Sequence, residues 1–190
     1  MTNNDNSVNM DRKYHHGDLR AALIEAGLRL LETRAADDLS LREVARAVGV
    51  SATSVYRHFP DKAALLAALA ADGLERLGAA QRQAAVAAGG GAAGFAATGR
   101  AYVRFALANP ALFRMIFTSA PPSADHVDGT DAMAFLRANA AQAAGAAPDS
   151  RAAEVRSIWA WSLVHGLAML MLDGQVPADD SLVDEVVALG

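Results

Sequence analysis

Twenty residues near the front of the chain, Ser40 to Phe59, leave little freedom in how they fold. Ser40-Leu41-Arg42-Glu43 has the S-x-x-E spacing of a capping box, in which the serine oxygen and the glutamate carboxylate each satisfy an orphan backbone N–H at a helix start. Leu41, Val44, Ala45 and Val48 then recur at helical spacing, and Gly49 is suited to the left-handed residue that ends a helix. Ser51 caps the next helix, over about 52–58, and Pro60 stops it. Two short helices joined by so tight a turn form a helix-turn-helix, whose second helix can lie in the major groove of DNA. Val44, Ala45, Val48, Val50 and Val55 point inward and lock the pair onto a preceding helix.

The outer face of that second helix offers Ser51, Ala52, Thr53, Ser54, Tyr56, Arg57 and His58, side chains that suit phosphate oxygens and base edges. Arg57 can read guanine, and Ala52 or the Thr53 methyl can touch a thymine methyl. Lys62, at the start of the following helix, is placed for a phosphate, and Ser40 and Arg42 complete the candidate contacts to double-stranded operator DNA. Phe59 reads as core. Tyr56 is open between a partly structural role and a phosphate contact, and His58 between a phosphate contact and a helix cap. Arg12 and Lys13 read either as a minor-groove arm or as a solvated tail. The adjacent His15 and His16 do not share a helix face and no carboxylate or thiol cluster supports them, so no metal site is expected.

Charge is less informative than its distribution. The net charge of −4 falls wholly on residues 63–190, which carry eight Lys/Arg against twelve Asp/Glu; residues 1–62 carry nine of each. The front of the chain is thus the more basic part, but only relatively.

The remainder reads as all-α. Apolar residues make up 53% of the chain, with alanine, the strongest helix former, prominent among them. Residues 1–13 are polar and expected to be disordered. A first helix is expected from Asp18, and a fourth, longer one from 62 into the eighties. The Ala/Gly stretch from Ala84 to Gly94, with Gly89, Gly90 and Gly91 in a row, reads as a flexible connection. Further helices are expected at about 94–108, 110–118, 129–145, 149–173 and 179–189, with a loop over 119–129; the count is about nine. With no cysteine there is no disulfide, thiolate metal site or cysteine nucleophile, which fits a reducing cytoplasm. The polar start shows no signal peptide, and the apolar run Ile158–Leu172 is shorter than the roughly 20 residues that span a bilayer, so no membrane association is expected. No acid/base cluster and no phosphate-binding loop is visible; neither an enzyme nor a cofactor is expected.

The stretch from Asp18 to Lys62, above all Val44-Ala45, Gly49-Val50-Ser51, Val55-Tyr56-Arg57-His58-Phe59 and Asp61-Lys62, resembles the TetR family of bacterial repressors. Tyr14-His15-His16-Gly17-Asp18-Leu19-Arg20 is similar to the start of that family's first helix. Further along, Tyr102-Val103-Arg104-Phe105, Asn109-Pro110, Phe113-Arg114-Met115-Ile116-Phe117 and Trp159 with His165-Gly166 resemble a C-terminal subgroup named for a Trp-His-Gly signature. The resemblance implies a helix-turn-helix domain over 14–62 and a ligand-binding and dimerisation domain over 63–190. It also implies a homodimer joined through its last two long helices, a palindromic operator, and release by a small-molecule effector.

Residues expected to line an apolar ligand site are Tyr102, Phe105, Phe113, Phe117, Trp159 and His165, although each taken singly also fits an ordinary core. Residues 158–172 are hydrophobic almost all round, so such a helix needs cover on both sides, and a second copy would supply one of them. Trp161, Val164, Ala168, Met171, Leu182 and Val186 are the expected dimer contacts. The expected mechanism is a two-state switch in which the ligand favours wrongly spaced reading heads, with the fourth helix as lever. The competing reading is a helical protein-interaction module that does not bind DNA, and the same fold also serves activators.

Overall fold

The computed structural model describes residues 16–118, 131–147 and 149–189, and all regular structure among them is helical. The expectations for the N-terminal arm, for His15 and for the loop over 119–129 lie outside these residues. In chain order the helices are α1 (His16–Leu31), α2 (Leu41–Val48), α3 (Ala52–Tyr56), α4 (Lys62–Ala87), α5 (Gly91–Ala108), α6 (Pro110–Thr118), α7 (Asp131–Ala144), α8 (Arg151–Leu172) and α9 (Asp180–Ala188). A short 3-10 turn, Ala36–Asp38, joins α1 to α2. α1 begins two residues ahead of the expected cap at Asp18.

The expected flexible connection over 84–94 shrinks to a turn. α4 runs on through its alanines to Ala87, because alanine favours the helix until glycine intervenes. Gly89 and Gly90 then take left-handed φ of 79° and 72°, and α5 starts at Gly91. The two helices pack closely along their length. Between them Gln81, itself buried, donates from Nε2 to the carbonyl of Thr98 at 3.5 Å.

Two apolar cores result. The first gathers Leu23 and Leu31 of α1, Val44 of α2, Val55 of α3, Phe59 and the first half of α4 at Leu65 and Leu69. The second joins the later part of α4 and α5 to α8 and α9 through Leu77, Val103, Leu167 and Val183. α6 belongs to both: Leu112 and Met115 complete the first core, and Phe113, between them in sequence, is buried in the second. The α4–α6 crossing is close. A Cβ on Gly73 would stand 2.7 Å from Cδ1 of Leu112, so only glycine allows this approach without a shift of the Leu112 side chain.

α8, at 22 residues, is longer than the apolar run visible in the sequence, and by length and composition alone it passes for a membrane span. In the fold it is a core helix. Ala153, Ser157, Ala160, Val164, Leu167, Ala168 and Met171 form a buried stripe that faces α5 and α7. Val164, Ala168 and Met171, expected at a dimer seam, are therefore covered within the protomer. Leu182 and Val186 of α9, half-buried, pack against the same core. Because α8 is apolar on nearly every face, its periodicity could not reveal which face turns inward.

Candidate functional site

The helix-turn-helix is built by three local devices. The Ser40 hydroxyl accepts from the Glu43 N–H at 3.3 Å and caps α2. In the other half of the expected box, the Glu43 carboxylate accepts a hydrogen bond from the Ser40 hydroxyl at 2.8 Å and pairs with Arg34, and the Ser40 backbone N–H is a minor contributor. The Ser40 hydrogen bond, then Arg34, holds this half-buried carboxyl below the usual range. Gly49 ends α2 in the left-handed region (φ 78°, ψ 30°), and the N–H of Val50 reaches back to the carbonyl of Ala45 at 2.9 Å. Ser51 caps α3 by accepting from the Ser54 N–H at 3.2 Å, and the two serine hydroxyls stand 2.9 Å apart.

α3 is fixed from beneath by Val55 and Phe59, which are both fully buried. The guanidinium of Arg20 lies 5.4 Å from the centroid of the Phe59 ring and ties α1 to the end of this segment. With those two residues inside, the opposite face carries Ser51, Thr53, Tyr56 and Arg57, all exposed, and half-buried Ala52, Ser54 and His58. Tyr56 is 49% exposed, a large aromatic side chain held out of the core beside an exposed arginine. Arg42 is exposed on α2, Ser40 is half-buried at its cap, and Arg46, absent from the sequence-based set, is exposed one turn after Arg42. Lys62, the first residue of α4, is half-buried. Its Nζ donates to the carbonyl of Asp37, across the start of α4. The site is thus a short helix that displays hydroxyls, one aromatic ring and a guanidinium, with no acidic side chain between Ser51 and His58.

The second group of candidates gathers where α5, α6 and α8 meet. His165 is ringed by Phe117 (centroids 4.9 Å apart), Phe113 (5.7 Å), Trp161 (6.2 Å) and Tyr102 (6.3 Å). Tyr102 Oη lies 2.9 Å from Nδ1 of His165 and 3.1 Å from Nε1 of Trp161. Burial pushes the Tyr102 phenol well above the usual tyrosine range, against the opposing effect of the Trp161 N–H, and burial lowers the His165 imidazole. Two tryptophans exchange the places expected of them. Trp161 turns inward to this cluster, while Trp159 is 42% exposed with the Arg156 guanidinium 4.7 Å from its ring centroid. Phe105 packs between the two cores, outside the rings around His165. The exposed face of α8 instead carries Val155, Ile158, Trp159 and Leu170, of which sequence reasoning had singled out only the tryptophan. Among the described residues, no group of three or more His, Cys, Asp or Glu is placed to hold a metal ion.

Two family models match the chain: the tetR family of bacterial regulatory proteins over residues 23–69, and a tetracyclin repressor-like C-terminal domain over 95–189. Comparison with curated protein sequences finds no match. Among solved structures, a Rhodococcus sp. RHA1 protein of unknown function is 36% identical, with a TM-score of 0.75 and 94% of each chain covered. A tetR-family transcriptional regulator from Streptomyces coelicolor is 25% identical, with a TM-score of 0.61, over 90% of this chain and 78% of that one. The repressor AlkX from Dietzia sp. strain DQ12-45-1b, implicated in biodegradation of n-alkanes, shares the fold at 20% identity and a TM-score of 0.57, over 90% of this chain and 91% of that one. With both segments matched and the fold in agreement, the chain belongs to the TetR family of transcriptional regulators, DNA-binding proteins without enzymatic activity.

Proposed function

We propose that this regulator is a repressor that binds a palindromic operator as a homodimer and is released by a small apolar effector. The observation that carries the DNA contact is the display of Thr53, Tyr56 and Arg57 on a helix whose other face is anchored by Val55 and Phe59. A rigidly seated short helix with an exposed guanidinium suits a major groove, where arginine pairs bidentately with guanine. Tyr56, Ser51 and Thr53 suit phosphate oxygens, which set the register. Arg42 and Arg46 extend the same positive face. Lys62 joins it on exchanging the Asp37 carbonyl for a phosphate.

The pairing of two protomers is supported by the outer stripe of α8. Val155, Ile158, Trp159 and Leu170 are each between about two-fifths and half exposed and recur at helical spacing. An apolar stripe of this kind on a core helix needs a partner, and a two-fold related copy covers it with the same residues. Two reading heads then meet two half-sites on one face of the duplex. The effector reading is supported by the ring cluster around His165. α6 offers a route between the two sites, because Phe113 and Phe117 belong to that cluster while Leu112 and Met115 belong to the core beneath the helix-turn-helix. A ligand that displaces the rings moves α6 and, through the close α4–α6 crossing, the reading head. It contributes only its difference in affinity for the two states, typically about 1–3 kcal/mol.

A gel-shift titration of the full-length protein against DNA from upstream of its own gene tests the proposal. A discrete complex containing two protomers, or a multiple of two, is expected. A complex containing a single protomer would rule out the dimeric reading.

A further inference from the structure

Trp161, Tyr102 and His165 form a hydrogen-bonded chain whose direction is fixed by its first member. An indole N–H can only donate, so the Tyr102 oxygen accepts from Trp161 at 3.1 Å. The phenol hydrogen then needs an acceptor of its own. Tyr102 is buried, and among the described residues the one acceptor in reach is Nδ1 of His165, at 2.9 Å. Were Nδ1 to carry a hydrogen, two donors would point at the phenol oxygen and its own hydrogen would be buried without a partner, an arrangement folded proteins avoid. His165 is therefore neutral, with its hydrogen on Nε2. That Nε2–H has no acceptor among the described residues. It sits within four aromatic rings, at a place where Phe117 is 37% exposed and the imidazole is half-buried.

From this we infer that His165 Nε2–H is the polar anchor of the effector site, and that the effector is an uncharged, largely apolar molecule bearing a hydrogen-bond acceptor, such as a ketone or ester oxygen. This rests on the effector-released reading above. The rings supply apolar and stacking contact. A carboxylate is disfavoured: none of the five side chains is cationic, and an anion brought there loses its hydration with one neutral donor in return. A cation would find the aromatic faces but also an N–H directed at it.

The test uses the full-length protein and needs no knowledge of the natural effector. Histidine labelled with 15N reports the tautomer through long-range proton–nitrogen spectra; the Nε2–H form is expected at His165, and its preference is lost in Tyr102→Phe. Binding is followed with the environment-sensitive ketone 6-propionyl-2-dimethylaminonaphthalene. Competitors of one shape, 2-acetonaphthone, 2-ethylnaphthalene and 2-naphthoate, are expected to rank in that order. His165→Phe keeps an aromatic ring, and it should weaken the two ketones about three- to tenfold, the worth of one neutral hydrogen bond, and leave the hydrocarbon unchanged. The wild-type tautomer and ranking stand as tests even if that variant does not fold. The inference is overturned by an Nδ1–H imidazole, by no ketone binding to the wild type, by equal ranking of ketone and hydrocarbon, or by preference for the carboxylate. Ketone binding that leaves the DNA complex intact supports the anchor and overturns the effector reading. DNA release by all three competitors alike does the reverse.

Discussion

At the scale of single residues, the account separates side chains that hold the fold from those that touch partners. The Arg57 side chain is exposed and makes no ion pair or hydrogen bond among the described residues, so its loss removes no contact within the fold. Arg57→Ala is expected to leave the thermal unfolding curve in place and to weaken operator binding by about 1–3 kcal/mol, checked by fluorescence anisotropy with a labelled duplex. His165 carries a pH dependence whose sign follows from burial. Its imidazole is lowered from the ordinary value of 6.5 because burial penalises the charged form. The unfolded chain therefore takes up this proton as pH falls through about 6.5 while the folded chain does not, so this contribution to stability is complete above that pH and declines below it. Denaturant titrations at a series of pH values should show this acid limb in the wild type and a shallower one in His165→Phe. Residue identity was legible for the reading helix because caps, turn glycine and proline fix its phase. It was not legible for Trp159 and Trp161. Two residues apart on a helix apolar all round, they point to different faces, and only tertiary packing decides which ring turns inward.

At the scale of elements, the α2–α3 turn depends on a backbone angle more than on contacts. A Cβ on Gly49 would meet nothing within 4 Å, so the cost of a side chain there comes from φ 78° alone. Gly49→Ala should destabilise the protein by about 1–2 kcal/mol in denaturant titration, with no cavity and no clash involved. α6 presents the opposite case, an element defined by packing. Leu112 is buried against α4, and Leu112→Ala should cost about 2–4 kcal/mol of stability. In surviving folded protein it should also loosen the coupling between effector and DNA, read as a smaller effect of ligand on operator affinity. The sequence marked the start of α6 clearly, through Asn109-Pro110, yet gave no sign that its two faces enter different cores. The alanines of 84–87 carried a similar ambiguity. Weak side chains beside three glycines suggested a flexible segment, and helix propensity carried α4 through to Ala87.

For the whole molecule, the claim is of two heads on one duplex, joined through the outer stripe of α8. Ile158→Glu places a charge in the middle of that stripe, at an exposed position where the protomer itself tolerates it. Sedimentation is expected to report monomers for this variant and dimers for the wild type, with operator affinity falling accordingly; an unchanged wild-type-like dimer would place the seam elsewhere. The all-helical architecture and the family are readable from spacing and motif alone. The proposed seam is not, because Val164, Ala168 and Met171 are as apolar as Val155, Ile158 and Leu170, and only tertiary packing decides that the first three are buried within the protomer and the others exposed. The most direct measurement is the affinity of the full-length protein for its upstream DNA across a range of salt concentrations, with Arg57→Ala alongside. Binding that falls steeply as salt rises, with the variant weaker than the wild type throughout, is the expected result. No retardation of that DNA by the folded wild-type protein even at low salt would contradict the assignment of α3 as the reading helix.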